Sequence, residues 1–294
     1  MLAWHGTPHL DIGFDRMAEL FASYLDHFGF VQRPFALTPD TDFLYWSDAH
    51  KGAYAMLQYG LASHAPITLL TGEIGAGKTL LLQYFVDGLD DDVTLSLVTN
   101  TRPGTRDILQ WLLPELANQS TGDEQTFQRV REYFVNEYNE GRRVLLIIDE
   151  AQNLSMEALE ELRMLTNINI GKEDVLQLVL VGQPELRDMV RRPRLVQFAQ
   201  RVAANYHLPL MDPATVGAYI AHRLRVAGGR AGVFSRQAAE VVADATGGVP
   251  RLINQLCDLS LTYAYAEGDV MVRAATVQAV LDDGVYFGGA VAAD

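Results

Sequence analysis

The segment that most constrains the fold of this chain is a glycine-rich stretch, Thr71–Thr79. It reads Thr-Gly-Glu-Ile-Gly-Ala-Gly-Lys-Thr, follows the apolar run Ile67–Leu70 and precedes the helix-like run Leu80–Phe85. A G-x-x-x-x-G-K-T segment between a strand and a helix is typical of a phosphate-binding loop, whose glycines let backbone N–H groups converge on phosphate oxygens. The helix N-terminus adds the positive end of its dipole. The segment therefore predicts binding of a nucleoside triphosphate.

We expect this loop to supply most of the contacts to ATP. Lys78 would reach the β- and γ-phosphates, and Thr79 would ligate Mg²⁺. The alternative is a chance glycine-rich turn before a helix, which the next motif makes improbable. The predicted nucleotide-binding residues of the loop are Gly72, Glu73, Ile74, Gly75, Ala76, Gly77, Lys78, Thr79 and Leu80.

A second motif places two acids directly after an apolar strand. Arg143–Ile148 is followed by Asp149 and Glu150. A carboxylate at the end of a buried strand is unfavourable unless it meets a cation, so we expect Asp149 to hold Mg²⁺ through water. Glu150 would polarise the water that attacks the γ-phosphate, which predicts ATP hydrolysis. The alternatives are a surface acid pair or a helicase box (Asp-Glu-Ala-Gln), but such helicases need a second nucleotide-fold domain, and nothing after residue 213 supplies one.

Amides follow two other predicted strands. Gln183 comes after the strand 176–181 and could orient the attacking water or touch the γ-phosphate. Asn100 comes after the strand 93–99 and could hold Glu150 in an inactive position. Either side chain could instead cap a helix or a turn.

Arginines are candidates for contacts to the transition state. Five of them lie between 187 and 201, and most would form a solvated basic face. Arg201 is our choice for an arginine finger that enters the neighbouring subunit's site, because it precedes the last strand, and Arg194 is the second choice. Arg251 follows Gly247–Pro250 at the start of a helix and would reach back over the phosphates, unless it is a structural arginine.

The order of elements predicts two domains. From residue 67 to about 210, short apolar strands alternate with helices, which indicates an α/β fold with a parallel sheet covered on both faces. The predicted helices include 104–117 and 184–200, and the last strand is predicted at roughly 205–210. After Pro213 only helices are predicted. We divide the chain into an N-terminal extension (1–23), a nucleotide-binding domain (24–212), a helical lid domain (213–284) and a tail (285–294).

Charge and composition narrow the partners and the location. The net charge of −14 repels nucleic acid and anionic lipid at long range, although a local basic patch could still act alone. The single cysteine, Cys257, leaves no internal disulfide. No apolar run approaches a membrane span, and the acidic N-terminus lacks the pattern of a signal peptide, so we expect a cytoplasmic protein.

With these motifs the chain resembles the AAA+ superfamily and, more narrowly, the general secretion pathway protein A type of ATPase. The resemblance covers Tyr24 to about Leu281. The motifs that carry it, besides the glycine-rich loop, are Tyr24 with Phe28-Gly29-Phe30, Pro34-Phe35, Thr38-Pro39-Asp40, Ile148 through Leu154, Leu159 through Asn167, Val181 through Leu186, Gln200-Arg201, His222-Arg223-Leu224 and Gly248 through Asn254.

This resemblance implies a role for each candidate residue. Lys78 and Thr79 would form Walker A, and Asp149 and Glu150 would form Walker B. Gln183 would be sensor 1, Arg201 the finger and Arg251 sensor 2, and Pro34 and Phe35 would lie near the adenine. These nine positions, with Asn100 and the loop residues given above, make up the candidate site.

The resemblance also implies assembly and a setting for the activity. Subunits would form a homo-oligomer, usually a hexameric ring, because the finger acts on the next subunit's ATP. The secretion-pathway member continues into a transmembrane helix and a periplasmic peptidoglycan-binding part, neither of which follows here, so this chain looks more like the shorter cytosolic members. It could still act at the inner membrane through a protein partner.

Two functions remain open. The first is an ATPase that powers or regulates assembly of an envelope secretion, pilus or polysaccharide-export system through protein contacts. The second is an ATP-dependent DNA-binding regulator of the kind that assists transposition. The acidic net charge favours the first. A third possibility is an ATP-binding scaffold without turnover, whose behaviour would not change when Glu150 is replaced.

Overall fold

The structure is a computed structural model that describes residues 22–99, 123–170, 173–230 and 232–288. It consists of two compact units. The α/β unit comprises Pro39–Met211 and Val249–Arg251. The helical unit comprises the described residues of Met1–Thr38, Asp212–Gly248 and Leu252–Asp294.

A five-stranded parallel sheet forms the centre of the α/β unit. The strands are β1 (Ile67–Gly72), β2 (Val93–Val98), β3 (Arg143–Ile148), β6 (Leu176–Gly182) and β7 (Val202–Leu208), and β4 (Asn169–Ile170) with β5 (Glu173–Asp174) forms a separate small hairpin. The spatial order is β2-β3-β6-β1-β7. Because β6 lies between β1 and β3, the residues that follow these three strands meet at one edge of the sheet.

The sheet is buried on both faces. Along β3, Leu146 and Ile148 pack in one hydrophobic cluster, and Leu145 and Ile147 pack in another on the opposite face. All residues of β1 and β6 are buried. Since strands buried on both faces cannot alternate apolar and polar residues, they read as continuous apolar runs. The predicted three-layer arrangement of a parallel sheet between helices is confirmed.

Helices cover the sheet on both sides. In the described part of the α/β unit they are α1 (Asp48–Ala62), α2 (Lys78–Asp87), α3 (Asp123–Asn139), α4 (Met156–Leu165), α5 (Pro184–Val190) and α6 (Val196–Ala199). Serines begin two of them: Ser47 Oγ accepts from His50 N, and Ser155 Oγ accepts from Ala158 N.

The prediction of one continuous helix over 184–200 is wrong. The segment is divided into α5, a 3₁₀ turn at Pro193–Leu195, and α6. Arg192 has φ −65° and ψ 145°, the extended conformation that a following proline imposes, so the helix ends before it. The predicted helix 104–117 lies outside the described residues.

The helical unit contains α7 (Pro213–Val226), α8 (Arg236–Thr246), α9 (Pro250–Glu267, apart from its first two residues) and α10 (Ala274–Asp282). Residues 22–38 group with this unit, although the sequence placed 24–38 with the nucleotide-binding domain. Aromatic contacts explain the grouping, since Tyr24 and His27 each pack edge-on against Tyr265 of α9. No helix in the described ranges combines the length and hydropathy needed to cross a bilayer.

Candidate functional site

The glycine-rich loop joins β1 to α2 and has a conformation that depends on glycine. Gly75 and Gly77 have φ values of +76° and +97°, in the left-handed region that side chains disfavour. A Cβ built on Gly75 would lie 2.9 Å from Cβ of Arg251. Both positions therefore need glycine. Gly75 needs it also because Arg251 packs against it.

Lys78 is buried and bonded to its own loop. Its side chain is 7% exposed, and Nζ donates to the carbonyl oxygens of Gly72, at 2.6 Å, and Glu73, at 2.9 Å. Burial lowers the pKa of Lys78, and the carboxylates of Glu150 and Asp149 oppose this. The ammonium group of Lys78 is thus held at the glycine-rich loop, close to the carboxylates of Glu150 and Asp149. A polyanionic ligand bound at the loop would also balance its positive charge.

Thr79 and Asp149 come together from adjacent elements. Thr79 Oγ1 donates to Asp149 Oδ2 at 2.9 Å. Asp149 is 4% exposed, and burial raises its pKa, against hydrogen bonds from the Glu150 backbone and Thr79 that lower it. A divalent cation beside this pair would favour the ionised carboxylate.

Glu150 has an unusual backbone and two amide donors. Its φ is +54°, in the left-handed region. Its Oε2 accepts from Gln152 Nε2 at 2.5 Å and from Gln183 Nε2 at 3.2 Å. Gln183 occupies the N-cap position of α5 without a side-chain capping bond. The sequence allowed two roles for Gln183, a contact near the γ-phosphate and a helix cap. Its side chain bonds Glu150 and does not cap α5.

Arg251 packs on the glycine-rich loop. Its backbone N donates to the Gly75 carbonyl at 3.3 Å, and its side chain passes close to Gly75, with Cδ 3.8 Å from a Cβ built there. The structure thus brings Arg251 to the loop that carries Lys78 and Thr79.

Within the α/β unit, Arg201 and Arg194 bond to residues outside this cluster. Arg201 is half-buried and donates to the Thr166 carbonyl at 2.9 Å, and Arg194 pairs with Glu157 at 3.3 Å on the surface. Pro34 and Phe35 lie in the helical unit, where Phe35 is fully buried beside Phe234. Asn100 lies outside the described residues.

Two residues near the site were missed from the sequence. Gln152 bonds both Glu150 and the backbone N of Gln183, and the only signal for it was its polar character within Asp-Glu-Ala-Gln. His50 is buried on α1, and its Nε2 would lie 3.1 Å from a Cβ at Gly77. Nothing local indicates His50, because it is distant from the loop in the chain.

The chemistry of this cluster fits ATP and Mg²⁺. Loop N–H groups and Lys78 suit phosphate oxygens, and Mg²⁺ typically takes one carboxylate with a hydroxyl, waters and phosphates, as Asp149 and Thr79 would allow. The described residues contain no group of three or more His, Cys, Asp or Glu side chains that could hold a metal by themselves.

Comparisons with known proteins agree with this arrangement. A family model described as "AAA domain" matches residues 61–190, which include the loop, the acid pair and Gln183. General secretion pathway protein A of Aeromonas hydrophila is 35% identical over 280 residues, covering 92% of this chain and 51% of the relative. The chain therefore contains an AAA domain and is similar to general secretion pathway protein A. It spans about half the length of that relative.

Solved structures match in fold alone. The Drosophila ORC bound to DNA has a TM-score of 0.62 at 15% identity, covering 97% of this chain and 70% of that one. The Aeropyrum pernix ORC2 protein has a TM-score of 0.57 at 18% identity, covering 80% and 67%. The matched AAA domain supports the nucleotide binding and ATP hydrolysis that the two sequence motifs predict.

Proposed function

We propose that the protein hydrolyses ATP with Glu150 as the general base, and that turnover powers or regulates assembly of a cell-envelope secretion, pilus or polysaccharide-export system. The observation that carries the catalytic part is the convergence of five side chains at the carboxyl ends of β1, β3 and β6. They are Lys78, Thr79, Asp149, Glu150 and Gln183.

The roles follow from the chemistry of each group. Lys78 exchanges its bonds to loop carbonyls for phosphate oxygens and offsets their charge as it increases in the transition state. Glu150 accepts a proton from the water as the water oxygen bonds to the γ-phosphorus. The bond from that phosphorus to the β–γ bridging oxygen breaks, which leaves ADP and phosphate. Gln183 donates to the γ-phosphate or to the attacking water, and Arg251 contacts the phosphates.

Mg²⁺ is part of this proposal. Thr79 would ligate the ion directly and Asp149 would hold it through water, and the bound ion would neutralise charge on the β- and γ-phosphates. The burial that raises the pKa of Asp149 supports this assignment, because a cation nearby would reverse that effect.

The cellular role rests on the similarity to general secretion pathway protein A, which extends over 92% of this chain. We propose a homo-oligomeric, hexameric ring in the cytoplasm that reaches the inner membrane through a protein partner. The same proposal keeps the predicted division into a nucleotide-binding domain, a lid (213–284), an extension (1–23) and a tail (285–294), except that residues 24–38 belong to the helical unit with which they group.

The test combines turnover and assembly in the Glu150→Gln variant. We expect kcat to fall about 100-fold or more, since a positioned base contributes roughly 10²–10⁴-fold, while ATP still binds. Light scattering with ATP and Mg²⁺ should show a ring that persists longer than that of the unmodified protein. Glu132→Gln, at an exposed position of α3, is the matched control and should behave like the unmodified protein.

A parallel run with a short DNA duplex separates the two functions. A nucleotide-dependent ring that ignores DNA supports the assembly role. A species that grows only with DNA, with salt-dependent affinity, would replace that role with the transposition-like one. Unchanged kcat in Glu150→Gln would contradict the catalytic assignment and leave an ATP-binding scaffold.

A further inference from the structure

Gln152 connects the proposed base to the proposed sensor. Its Nε2 donates to Glu150 Oε2 at 2.5 Å, while its Oε1 accepts from the backbone N of Gln183 at 3.1 Å. The side chain of Gln183 reaches the same Glu150 oxygen at 3.2 Å. The three residues thus form a closed ring of hydrogen bonds at the ends of β3 and β6.

Local structure fixes Gln152 in this place. It lies in a 3₁₀ turn, Ala151–Asn153, whose first residue is fully buried. Its amide oxygen also packs against the end of β6, since a Cβ built on Gly182 would lie 2.9 Å from Oε1 and 2.8 Å from Leu186 Cδ2. The glycine at 182 therefore provides the space in which the Gln152 amide sits.

An amide suits this position better than a charged or apolar group. A carboxamide offers a donor to the carboxylate of Glu150 and an acceptor to the N–H of Gln183 from one planar group. A general base acts efficiently only when its carboxylate is held close to the reacting water, and a glutamate side chain by itself is flexible. Glu150 is therefore oriented by a neighbour two residues along the chain.

We propose that Gln152 is a positioning residue that orients the Glu150 carboxylate and couples it to Gln183. A shift of Gln183 towards the γ-phosphate would act on Glu150 twice, through its own side chain and through its backbone N–H to Gln152. This inference rests on the assignment of Glu150 as the base, and not on the cellular role.

Two substitutions separate the bonds that Gln152 makes. Gln152→Met keeps the length of the side chain and removes both bonds. Gln152→Glu keeps an acceptor for Gln183 N–H but replaces the donor to Glu150 with a second carboxylate. Gln128→Glu, on the exposed face of α3, adds the same charge away from the site and is the control. Affinity for a fluorescent ATP analogue reports whether each variant folds.

We expect Gln152→Met to lower kcat by about 10-fold or more, with KM for ATP changed by less than about threefold, because positioning acts on the chemical step. Gln152→Glu should lower kcat at least as far, since it replaces the donor to Glu150 with a second carboxylate that repels it. Gln128→Glu should leave kcat and KM unchanged.

Combining Gln152→Met with Glu150→Gln distinguishes positioning from general damage. If Gln152 acts through Glu150, the double variant has the residual rate of Glu150→Gln alone. Independent, multiplying losses, or a normal kcat in Gln152→Met, would overturn the inference. If Glu150→Gln itself kept full activity, the assignment of the base would be wrong, which is a separate failure.

Discussion

His50 is a buried polar residue that contacts the phosphate-binding loop from another helix. It is 4% exposed, and its Nδ1 is 2.8 Å from Ser47 Oγ. Burial lowers the pKa of His50, and a hydrogen bond to the Ala76 backbone opposes this shift. The imidazole is therefore neutral in the folded protein near pH 7, and its protonation would place a charge beneath Gly77.

This predicts a pH dependence of stability. The pKa of His50 is lower in the folded state than the value of about 6.5 expected when unfolded, so the unfolded chain binds the proton first. The contribution of His50 is complete above about pH 6.5 and is lost as pH falls towards the folded pKa, by at most ~1.4 kcal/mol per pH unit. In urea unfolding between about pH 7.5 and 5, His50→Gln should show a shallower decline than the unmodified protein.

The control uses a histidine at the surface. His64→Asn changes an exposed residue whose φ of +54° suits asparagine, so the decline with pH should equal that of the unmodified protein. Parallel curves for His50→Gln and the unmodified protein would show that His50 does not titrate in this range.

Residues of the site differ in how far the sequence could reveal them. Lys78, Asp149 and Glu150 lie in contiguous motifs whose spacing depends on local backbone geometry, and so they are visible without a structure. Gln152 and His50 act through contacts to other segments, and their types are common in ordinary surfaces and cores. Their roles depend on the packing of β6 beside β3 and of α1 beside the loop, which no local pattern encodes.

Helix α1 is fitted to the sheet at a glycine. Gly60 packs on β1, where an added Cβ would overlap Oγ1 of Thr68. The carbonyl oxygens of Gly60 and Leu61 each accept from Gln177 Nε2 at 3.1 Å. Close backbone approach at Gly60 and the buried amide of Gln177 therefore hold the end of α1 against β1 and β6.

Two glycine-to-alanine substitutions test this contact. Alanine in a helix is favoured over glycine by roughly 0.5–1 kcal/mol, so Gly217→Ala in α7, with open space around its Cα, should raise the free energy of unfolding. Gly60→Ala should lower it by about 1–3 kcal/mol, because overpacking outweighs helix propensity. Chemical denaturation of both variants measures the difference. If both substitutions stabilised the protein equally, the packing of α1 on β1 would accommodate the added methyl group without cost.

Elements with strong local patterns were predicted well. The strands at 67, 93, 143 and 176 begin where expected, because strands buried on both faces form continuous apolar runs. The edge strand β7 begins at Val202 and not near 205, and its partial burial gives a weaker pattern than that of the central strands. The β4–β5 hairpin has two residues per strand, too short for any periodic pattern.

At the scale of the whole molecule, the proposed ring depends on contacts between copies. The net charge of −14 opposes close approach of subunits at low salt. Assembly would therefore need specific attraction, which a bound nucleotide and a positive side chain from the neighbour supply. Arg201, which donates to its own Thr166 carbonyl, would have to exchange that bond to act as a finger.

Mixed assemblies test this directly. Arg201→Ala and Glu150→Gln should each be nearly inactive, with a finger worth ~10³–10⁵ in kcat. A mixture should regain activity, because an intact Arg201 from one variant can serve an intact Glu150 of the other. The same mixture made with Arg194→Ala, whose side chain is 70% exposed, is the comparison. Recovery only with Arg194→Ala would assign the finger to Arg194, and inactive mixtures throughout would contradict action between subunits.

The left-handed backbone of Glu150 sets a limit on how this enzyme could be engineered. A non-glycine residue with φ of +54° has a conformational penalty of about 1 kcal/mol, which glycine avoids and asparagine reduces. A library at position 150 selected for heat resistance alone would thus be enriched in these two residues and would lose turnover. Resistance to heat and activity favour different amino acids at this one codon, so a directed-evolution campaign would have to screen for both.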